Sequence, residues 1–467
     1  MKFSVTRIAS VLILSILLVF QESLSPPKIA EGRERSPISK PTSRTQDFPQ
    51  AGNASRQRDI SRYRNGKLEN RVDSTPKDLE KNAFADPDKN LKKLALYLTS
   101  GVDDPFMAVK NLHDWVATRI SYDVDAFFSG ARLDQKLHSV LSRRKAVCGG
   151  YTSLFRELCQ ESGISCVSIS GYARGHDYNL FKTEMITEDH AWNAVRIGNA
   201  WYLIDVTWDS GFVEKRSFHK NYSTDYFLLP ADKMIYTHYP LDDAWQFLDP
   251  FVSREQFLFL PNLRGRFFQY EIPNFTELKS RYSCESEMTV NLLHPAGVHI
   301  QAQMHDKHGI IERKAVFEQR SGKGTSIHIR PPRDGNWDLR FFASDGPERE
   351  SDHIWSTMIM ANNCNGQGFP ARYEDYNLLG CELVSPLISP LLRGATYTLD
   401  LTAPGAEEAL LVAGSNKILI YPIPDSRFRF VNKILVGSER KIEIFVRTKG
   451  EKSYKGILSY STVSRIK

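Results

Sequence analysis

Apolar and polar positions between residues 83 and 250 alternate between helical and strand spacing. A helix is predicted to begin at Asp103 or Asp104, with Pro105 in its first turn, because apolar residues then recur every three or four positions. A second helical stripe carries the apolar residues Tyr151, Leu154, Phe155 and Leu158. Strand-like runs follow at 165–172, 190–197 and 200–206. The mixture predicts an α+β domain.

The C-terminal part of the chain has a different pattern. Short runs with β propensity, interrupted by Gly, Pro and Asp, occupy 289–360 and 381–463. This rhythm predicts two β-sandwich, immunoglobulin-like modules at 273–365 and 366–467, joined to the first domain by a connector at 251–272. Neither module contains a constellation of catalytic residues, so binding or spacing is their expected role.

The N-terminus has the pattern of an export signal. Lys2 and Arg7 precede an apolar stretch at 8–20, which is short for a membrane-spanning helix. We therefore predict a signal peptide at 1–25 and a secreted or extracytoplasmic protein. The alternative is an uncleaved anchor that tethers the protein to a membrane through residues 8–20, because Pro26 hinders cleavage after Ser25.

A polar segment at 26–82 separates this signal from the first domain. It is rich in Pro, Ser, Arg and Gln, and eleven basic residues face six acidic ones between Lys28 and Asp73. Few large apolar side chains are available there to offset the entropy of ordering. The segment is predicted to be a disordered, solvated linker.

Composition excludes several classes of protein. The 467 residues have a mean hydropathy of −0.38 and one strong apolar run, which excludes a polytopic membrane protein. The net charge of +6 lies mostly in the polar segment, so no nucleic-acid partner is predicted. The six cysteines lack the paired spacing of a zinc site. One disulfide among Cys284, Cys364 and Cys381 is an option in an oxidising compartment.

Cys148 lies in the sequence Ala-Val-Cys-Gly-Gly-Tyr, directly before the second apolar stripe. This position is at or next to a helix N-terminus, where unpaired N–H groups and the helix dipole favour a thiolate. Gly149 and Gly150 are expected to leave the approach to the sulfur open. The alternative interpretation is a small buried apolar side chain.

A predicted hairpin brings a histidine and an aspartate together. Gly198-Asn199 is a two-residue turn signal that pairs Ile197 with Ala200, and counting back places His190 and Asp205 on one face. An imidazole backed by a carboxylate is the arrangement that activates a nucleophile. The alternatives are a structural histidine and a surface carboxylate, but the cysteine upstream favours a joint site.

These motifs, in this order, resemble the transglutaminase-like superfamily, which has a papain-like fold. They are similar, more narrowly, to its kyphoscoliosis peptidase and hillarin branch. The resemblance covers about 91–268 and includes Ile120-Ser-Tyr-Asp-Val-Asp125, Asp225-Tyr-Phe-Leu-Leu229 and Ile235-Tyr-Thr-His-Tyr-Pro240. It implies a catalytic domain at 83–250, with Cys148 as nucleophile, His190 as general base and then acid, and Asp205 as the carboxylate that orients the imidazole.

The implied reaction is acyl transfer from a protein amide through a thioester, to water or to an amine. The Cys148 N–H is one expected oxyanion donor, whereas Gln135 is interpreted as a polar surface residue. We predict no cofactor and no metal, because no acidic loop has calcium-ligand spacing. His113, His138, His176, His219 and His238 likewise form no metal motif.

Two functions are compatible with these features. The first is a cysteine enzyme that acts on protein substrates. The second is a non-catalytic adaptor that binds partner proteins through the same domain and its β-modules, with the three residues retained but idle. The intact set of Cys148, His190 and Asp205 favours the enzyme.

Overall fold

The structure is a computed structural model that describes residues 60–129, 134–175, 178–181, 188–424, 426 and 428–465. The predicted signal peptide or anchor at 1–25 lies outside these residues, as does the predicted linker up to residue 59. His176 lies outside them as well. None of the described helices is both long enough and apolar enough to cross a membrane.

Ten α-helices occur in the described residues, and most belong to the first domain. They are α1 (Asn70–Asp73), α2 (Lys77–Ala85), α3 (Pro87–Thr99), α4 (Pro105–Arg119), α5 (Val124–Ser129), α6 (Leu137–Arg143), α7 (Cys148–Glu161), α8 (Ala231–Met234), α9 (Arg254–Phe259) and α10 (Glu374–Leu378). Asp104 caps α4 by accepting the N–H of Phe106 at 3.1 Å. The apolar stripes of α3, α4 and α7 share one buried core.

Within the part of the chain that the structure describes, nine strands precede the β-modules. They are β1 (Ser121–Tyr122), β2 (Lys145–Ala146), β3 (Cys166–Ala173), β4 (His190–Ile197), β5 (Ala200–Ile204), β6 (Gly211–Glu214), β7 (Ser217–Lys220), β8 (His238–Pro240) and β9 (Asn262–Leu263). Four of them form the central antiparallel sheet, in the order β5-β4-β3-β8. Two short pairs, β1 with β2 and β6 with β7, complete the first domain.

The hairpin between β4 and β5 has the predicted register, with Ile197 opposite Ala200. Gly198 adopts φ +61° in the turn, a conformation that glycine reaches without steric cost. Alternate residues of β4 then enter different cores: Val195 packs among the helices, whereas Trp192 packs on the side of the first β-module. The central sheet is therefore covered on both faces.

Residues 60–82 differ from the predicted linker. Tyr63 is 1% exposed and Val72 is fully buried, and α1 together with the start of α2 lies in this stretch. The segment is anchored by polar groups as well, since the buried Lys110 ammonium donates to the Lys67 carbonyl at 2.6 Å. A few well-placed apolar side chains thus suffice to order a segment whose composition is polar, because they pack into the core shared by α3, α4 and α7.

Two β-modules follow the first domain. Their strands are β10 (Arg281–Cys284), β11 (Met288–Leu293), β12 (His299–His305), β13 (Val316–Ser321), β14 (Gly324–Ile329), β15 (Gly335–Ser344), β16 (Asp352–Ala361), β17 (Ala371–Arg372), β18 (Glu382–Ser385), β19 (Leu391–Leu392), β20 (Thr396–Thr402), β21 (Ala406–Ala413), β22 (Asn416–Ile420), β23 (Arg429–Leu435), β24 (Lys441–Thr448) and β25 (Lys455–Val463).

Each module is a sandwich of two sheets. The first places β10-β16-β15-β12 against β11-β14-β13, and the second places β17-β25-β24-β21-β22 against β18-β20-β23. Inward residues of both sheets enter one core in each case, as Leu339 and Ile327 do in the first module and Ile444 and Leu401 do in the second. The predicted α+β fold with following β-sandwiches is confirmed.

All six cysteines are free thiols. Cys159 and Cys166 are buried in the core between α7 and the sheet, while Cys148 and Cys364 are only partly buried. The three C-terminal cysteines form no disulfide.

Candidate active site

Cys148 is the first residue of α7. The preceding Val147 is extended (φ −90°, ψ 178°), so the chain enters the helix abruptly at the cysteine. Pairing of β1 with β2 fixes this entry, and the Asp123 N–H donates to the Ala146 carbonyl at 2.9 Å. The partly buried thiol therefore sits where the first N–H groups of the helix have no partner within the helix.

The two glycines after Cys148 have different roles. A Cβ on Gly149 would meet open space, in agreement with an open approach to the sulfur. A Cβ on Gly150 would instead lie 2.6 Å from Ala146 Cβ and 2.9 Å from Val140, so this glycine permits close packing. The expectation that both glycines open the approach is wrong for Gly150.

Gln135 supports the start of α7. Its Oε1 accepts the N–H of Val147 at 3.2 Å, next to the cysteine. The same oxygen lies against Gly150, where a Cβ would be 2.6 Å from it. Gln135 is half-buried, and the interpretation as a polar surface residue therefore missed its contact with the helix start.

His190 and Asp205 are joined by a short hydrogen bond. His190 Nε2 lies 2.7 Å from Asp205 Oδ2, at the point where β4 begins and β5 has just ended. The Asp205 side chain is fully buried and that of His190 is 9% exposed. The other carboxylate oxygen, Oδ1, accepts the backbone N–H groups of Thr207 (2.9 Å) and Trp208 (3.2 Å). Asp205 is thus fixed by its own loop.

His238 is a second imidazole on the same carboxylate. Its Nε2 lies 3.1 Å from Asp205 Oδ2, and its Nδ1 lies 2.9 Å from the Thr237 hydroxyl. Sequence reasoning missed this contact, because β8 follows β5 by more than thirty residues and pairs with β3 instead. The Thr-His-Tyr-Pro motif was visible in the sequence, but its position beside Asp205 was not.

The three groups shift one another's ionisation. Burial disfavours the Cys148 thiolate, but hydrogen bonds from His190 and from the Ala191 backbone outweigh it and lower the pKa of Cys148. Burial likewise opposes a charged His190, yet Asp205 and Cys148 raise its pKa to about 10. Against the effect of burial, His190 and then His238 hold the pKa of Asp205 well below its usual range. The shifts of Cys148 and His190 both act in the direction that stabilises a thiolate beside an imidazolium.

Tryptophans enclose the imidazole of His190. The Trp192 ring stacks at 6.2 Å between centroids, and the Trp208 ring lies at 5.4 Å. Trp192 is 1% exposed and fills the core, whereas Trp208 is half-buried and also contacts His238 at 4.5 Å. These rings keep water from the His190–Asp205 bond, which strengthens it.

His190, Asp205 and His238 form the one group of described residues whose side chains could hold a metal ion, with ligand atoms within 4.8 Å of one another. The same nitrogens already contact Asp205 Oδ2. Hydrogen bonding therefore accounts for the cluster without an ion.

A cysteine at a helix start and a His–Asp pair on the adjoining antiparallel sheet lie within the part of the chain that matches a known family. Residues 92–206, which contain Cys148, His190 and Asp205, match the family model described as "Transglutaminase-like superfamily". Residues 254–370 match the model "KY-like, immunoglobulin-like domain". Residues 92–206 are thus similar to the transglutaminase-like superfamily, and the predicted resemblance is confirmed.

Among curated proteins, the chain is similar to "Kyphoscoliosis peptidase" of Mus musculus, with 27% identity over 285 residues. That alignment covers 60% of this chain and 40% of the mouse protein. "Hillarin" of Drosophila melanogaster is 31% identical over 133 residues, which are 26% of this chain and 16% of hillarin. The chain thus spans less than half the length of the curated relatives it matches.

Among solved structures, the chain is similar to the one titled "Crystal structure of a TGase", with 22% sequence identity and a TM-score of 0.21. The alignment covers 32% of this chain and 37% of the chain in that structure. The fold assignment rests on the two family models and on the sheet topology described above.

Proposed function

We propose that this protein is a cysteine-dependent acyl-transfer enzyme that acts on amides of protein substrates. The observation that carries the proposal is the 2.7 Å bond between His190 Nε2 and the buried Asp205. With Nε2 engaged, Nδ1 is the ring nitrogen left to exchange a proton with Cys148. A histidine with a purely structural role would not require a neighbouring thiol whose pKa it lowers, as His190 lowers that of Cys148.

The reaction proceeds in two halves. Cys148 Sγ attacks the amide carbonyl carbon, the C–N bond breaks, and the imidazolium of His190 gives its proton to the leaving nitrogen. The resulting thioester is then attacked by water or by a primary amine, whose proton passes to His190 as the Cys148 thiolate is released, which restores the starting ion pair. Water gives hydrolysis, as in a peptidase or deamidase, and an amine gives a cross-link.

The oxyanion that forms during each attack needs donors close to Sγ. The backbone N–H of Cys148 is suited to this role, because it is the first N–H of α7 and has no partner within the helix. The open space at Gly149 leaves room for a substrate carbonyl beside it.

A test is available in the tryptic peptide 146–156, which contains Cys148 as its only cysteine. The protein is incubated with protein extracts, with and without a labelled primary amine, and the peptide is examined by mass spectrometry. We expect an acyl adduct on Cys148 that is absent from Cys148→Ser and from His190→Ala. Label transfer to other proteins would identify cross-linking, and release of a peptide or ammonia would identify hydrolysis. Absence of any Cys148-dependent product would refute the proposal.

The adaptor remains the second candidate, and a feature of the last module favours it. The edge strand β22 and its surroundings expose Leu419 (49%) and Tyr421 (64%), which are available to a protein partner. Two relatives are named for cytokinesis, including "cytokinesis protein 3" of Schizosaccharomyces pombe. An adaptor would leave Cys148 no more reactive than an ordinary thiol, whereas an enzyme requires a fast-reacting one. Rapid alkylation at pH 6 that is lost in His190→Ala separates the two.

A further inference from the structure

We infer that His238 is a positioning residue for the proposed reaction, and that its Nε2–H holds the Asp205 carboxylate in the orientation that aligns His190. The inference rests on the proposed function for its chemical meaning. It assigns a fourth side chain to a site that sequence motifs limit to three.

The hydrogen bonds around His238 fix its tautomer. The Thr237 hydroxyl has one hydrogen and two acceptors within reach, His238 Nδ1 at 2.9 Å and the Met234 carbonyl at 3.4 Å. If Nδ1 carried the ring proton, the lone pair of Nε2 would face the Asp205 carboxylate at 3.1 Å, and the two would repel. The favoured arrangement has Thr237 donating to Nδ1 and Nε2–H donating to Asp205.

The ring of His238 is held neutral as well as oriented. Burial lowers its pKa to about 4, the nearby His190 contributes in the same direction, and Asp205 opposes both. The titratable groups that face the ring are Asp205, His190 at 5.5 Å between centroids, and Tyr226 at 5.5 Å. A neutral donor leaves the negative charge of Asp205 available to His190, whereas a second cation would compete for it.

The backbone places His238 rigidly. It lies opposite Ala173 on β3, and β3 also pairs with β4, where Gly171 lies opposite His190. Both imidazoles therefore project from strands that flank β3, and they converge on one oxygen of Asp205. His238 is fully buried, and Trp208 and Trp192 pack against it at 4.5 and 5.0 Å between centroids. Such packing allows little rotation of the ring.

A matched pair of variants tests this role. The side chains of Gln and Met reach as many bonds from Cα as Nε2 of histidine does. Only Gln carries an N–H donor at that position. We expect iodoacetamide to alkylate Cys148 at pH 7 about tenfold more slowly in His238→Met, because a hydrogen bond to a buried carboxylate is lost. His238→Gln should stay within about threefold of the unsubstituted protein. Thermal unfolding of both variants checks the fold.

The outcomes separate the role of the donor from that of packing. An unchanged rate in His238→Met would overturn the inference, and so would equal slowing in both variants, since packing alone would then explain the effect. Long-range ¹H–¹⁵N spectra of the protein with ¹⁵N-labelled histidine supply a second readout. The His238 signal is identified as the one that disappears in His238→Gln, and it should have the pattern of the Nε2–H tautomer. A cationic ring or an Nδ1–H tautomer would contradict the inference. Because this spectrum needs no substrate, it stands even if no Cys148-dependent product is found.

Discussion

His113 Nε2 lies 3.1 Å from Oδ2 of Asp209, on the loop that also carries Asp205. The other ring nitrogen lies 2.9 Å from Asp114 Oδ1, and all three side chains are fully buried. With a carboxylate at each nitrogen the ring must donate twice, which requires the charged form. Burial would lower the pKa of His113, but these two hydrogen bonds raise it above its ordinary value. The network ties α4 to the loop of the candidate site.

Replacing this ring tests the network. His113→Phe keeps the aromatic volume but removes the buried cation that donates to both Asp114 and Asp209, so we expect a loss of about 3 kcal/mol in the free energy of unfolding. Urea denaturation measures it. The exposed His219 stacks on Phe212, and His219→Phe serves as the control with little expected change. A loss below about 1 kcal/mol in His113→Phe would show that the network adds little.

The same network predicts a pH dependence of stability. Because the folded-state pKa of His113 is raised, its contribution is fully present below the ordinary histidine pKa of about 6.5 and is lost as the pH rises through the folded-state pKa. The difference in unfolding free energy between the unsubstituted protein and His113→Phe should therefore shrink at alkaline pH. A difference that grows with pH would contradict the assigned charge.

The alkylation rate of Cys148 should depend on pH less steeply than the alkylation rate of Cys364, the other partly buried thiol. Burial and Asp334 raise the pKa of Cys364 to about 11, so its alkylation rate should rise about tenfold per pH unit between 6 and 8. Cys148 has a lowered pKa, and its rate should change far less across this range. Iodoacetamide labelling, followed in the tryptic peptides 146–156 and 350–372, compares both cysteines in one sample.

His190→Ala is the informative control for that experiment. Without the imidazole, burial and Asp205 raise the pKa of Cys148 and only the hydrogen bond from the Ala191 backbone opposes them, so Cys148 should acquire the steep pH dependence of an ordinary cysteine. The labelling of Cys364 should not change. Equal slopes for the two cysteines in the unsubstituted protein would argue against an activated Cys148.

Asp205→Asn should keep the fold and disable the site. The amide oxygen can still accept the N–H groups of Thr207 and Trp208, but the NH₂ group then faces the Nε2 atoms of two histidines. His190 loses its orienting acceptor, so we expect turnover to fall by roughly a thousandfold or more. Cys148→Ser should abolish turnover and leave the circular dichroism spectrum unchanged. Unaltered kinetics in Asp205→Asn would remove Asp205 from the mechanism.

Gly171 provides a test of the sheet that carries both histidines. A Cβ at this position would lie 2.3 Å from the Tyr239 carbonyl oxygen and 2.5 Å from the Trp192 ring. Gly171→Ala should therefore push β8 away from β3 and cost about 2 kcal/mol of stability. Gly297→Ala, where a Cβ meets open space, is the matched control. Equal melting temperatures in the two variants would show that the sheet adjusts freely.

Much of this site could be predicted because its parts are local. The apolar stripe of α7 and the cysteine before it share one stretch of chain, and a two-residue turn sets the register from Ile197 and Ala200. Because successive side chains of a strand point to opposite faces of the sheet, this register brings His190 and Asp205 to the same face. Composition failed for residues 60–82, because Tyr63 and Val72 are few in number but enter a groove built by distant helices.

The amino-acid order alone determined the class of domain, the two β-sandwiches and the order Cys148, His190, Asp205, since helical and strand periods and short turns are properties of neighbouring residues. Only the tertiary structure decided that His238 shares the carboxylate of Asp205 and that Gln135 secures the start of α7. Those contacts depend on how β8 and the segment before α6 fold back on the sheet and the helix. Such long-range packing leaves no fixed spacing in the sequence.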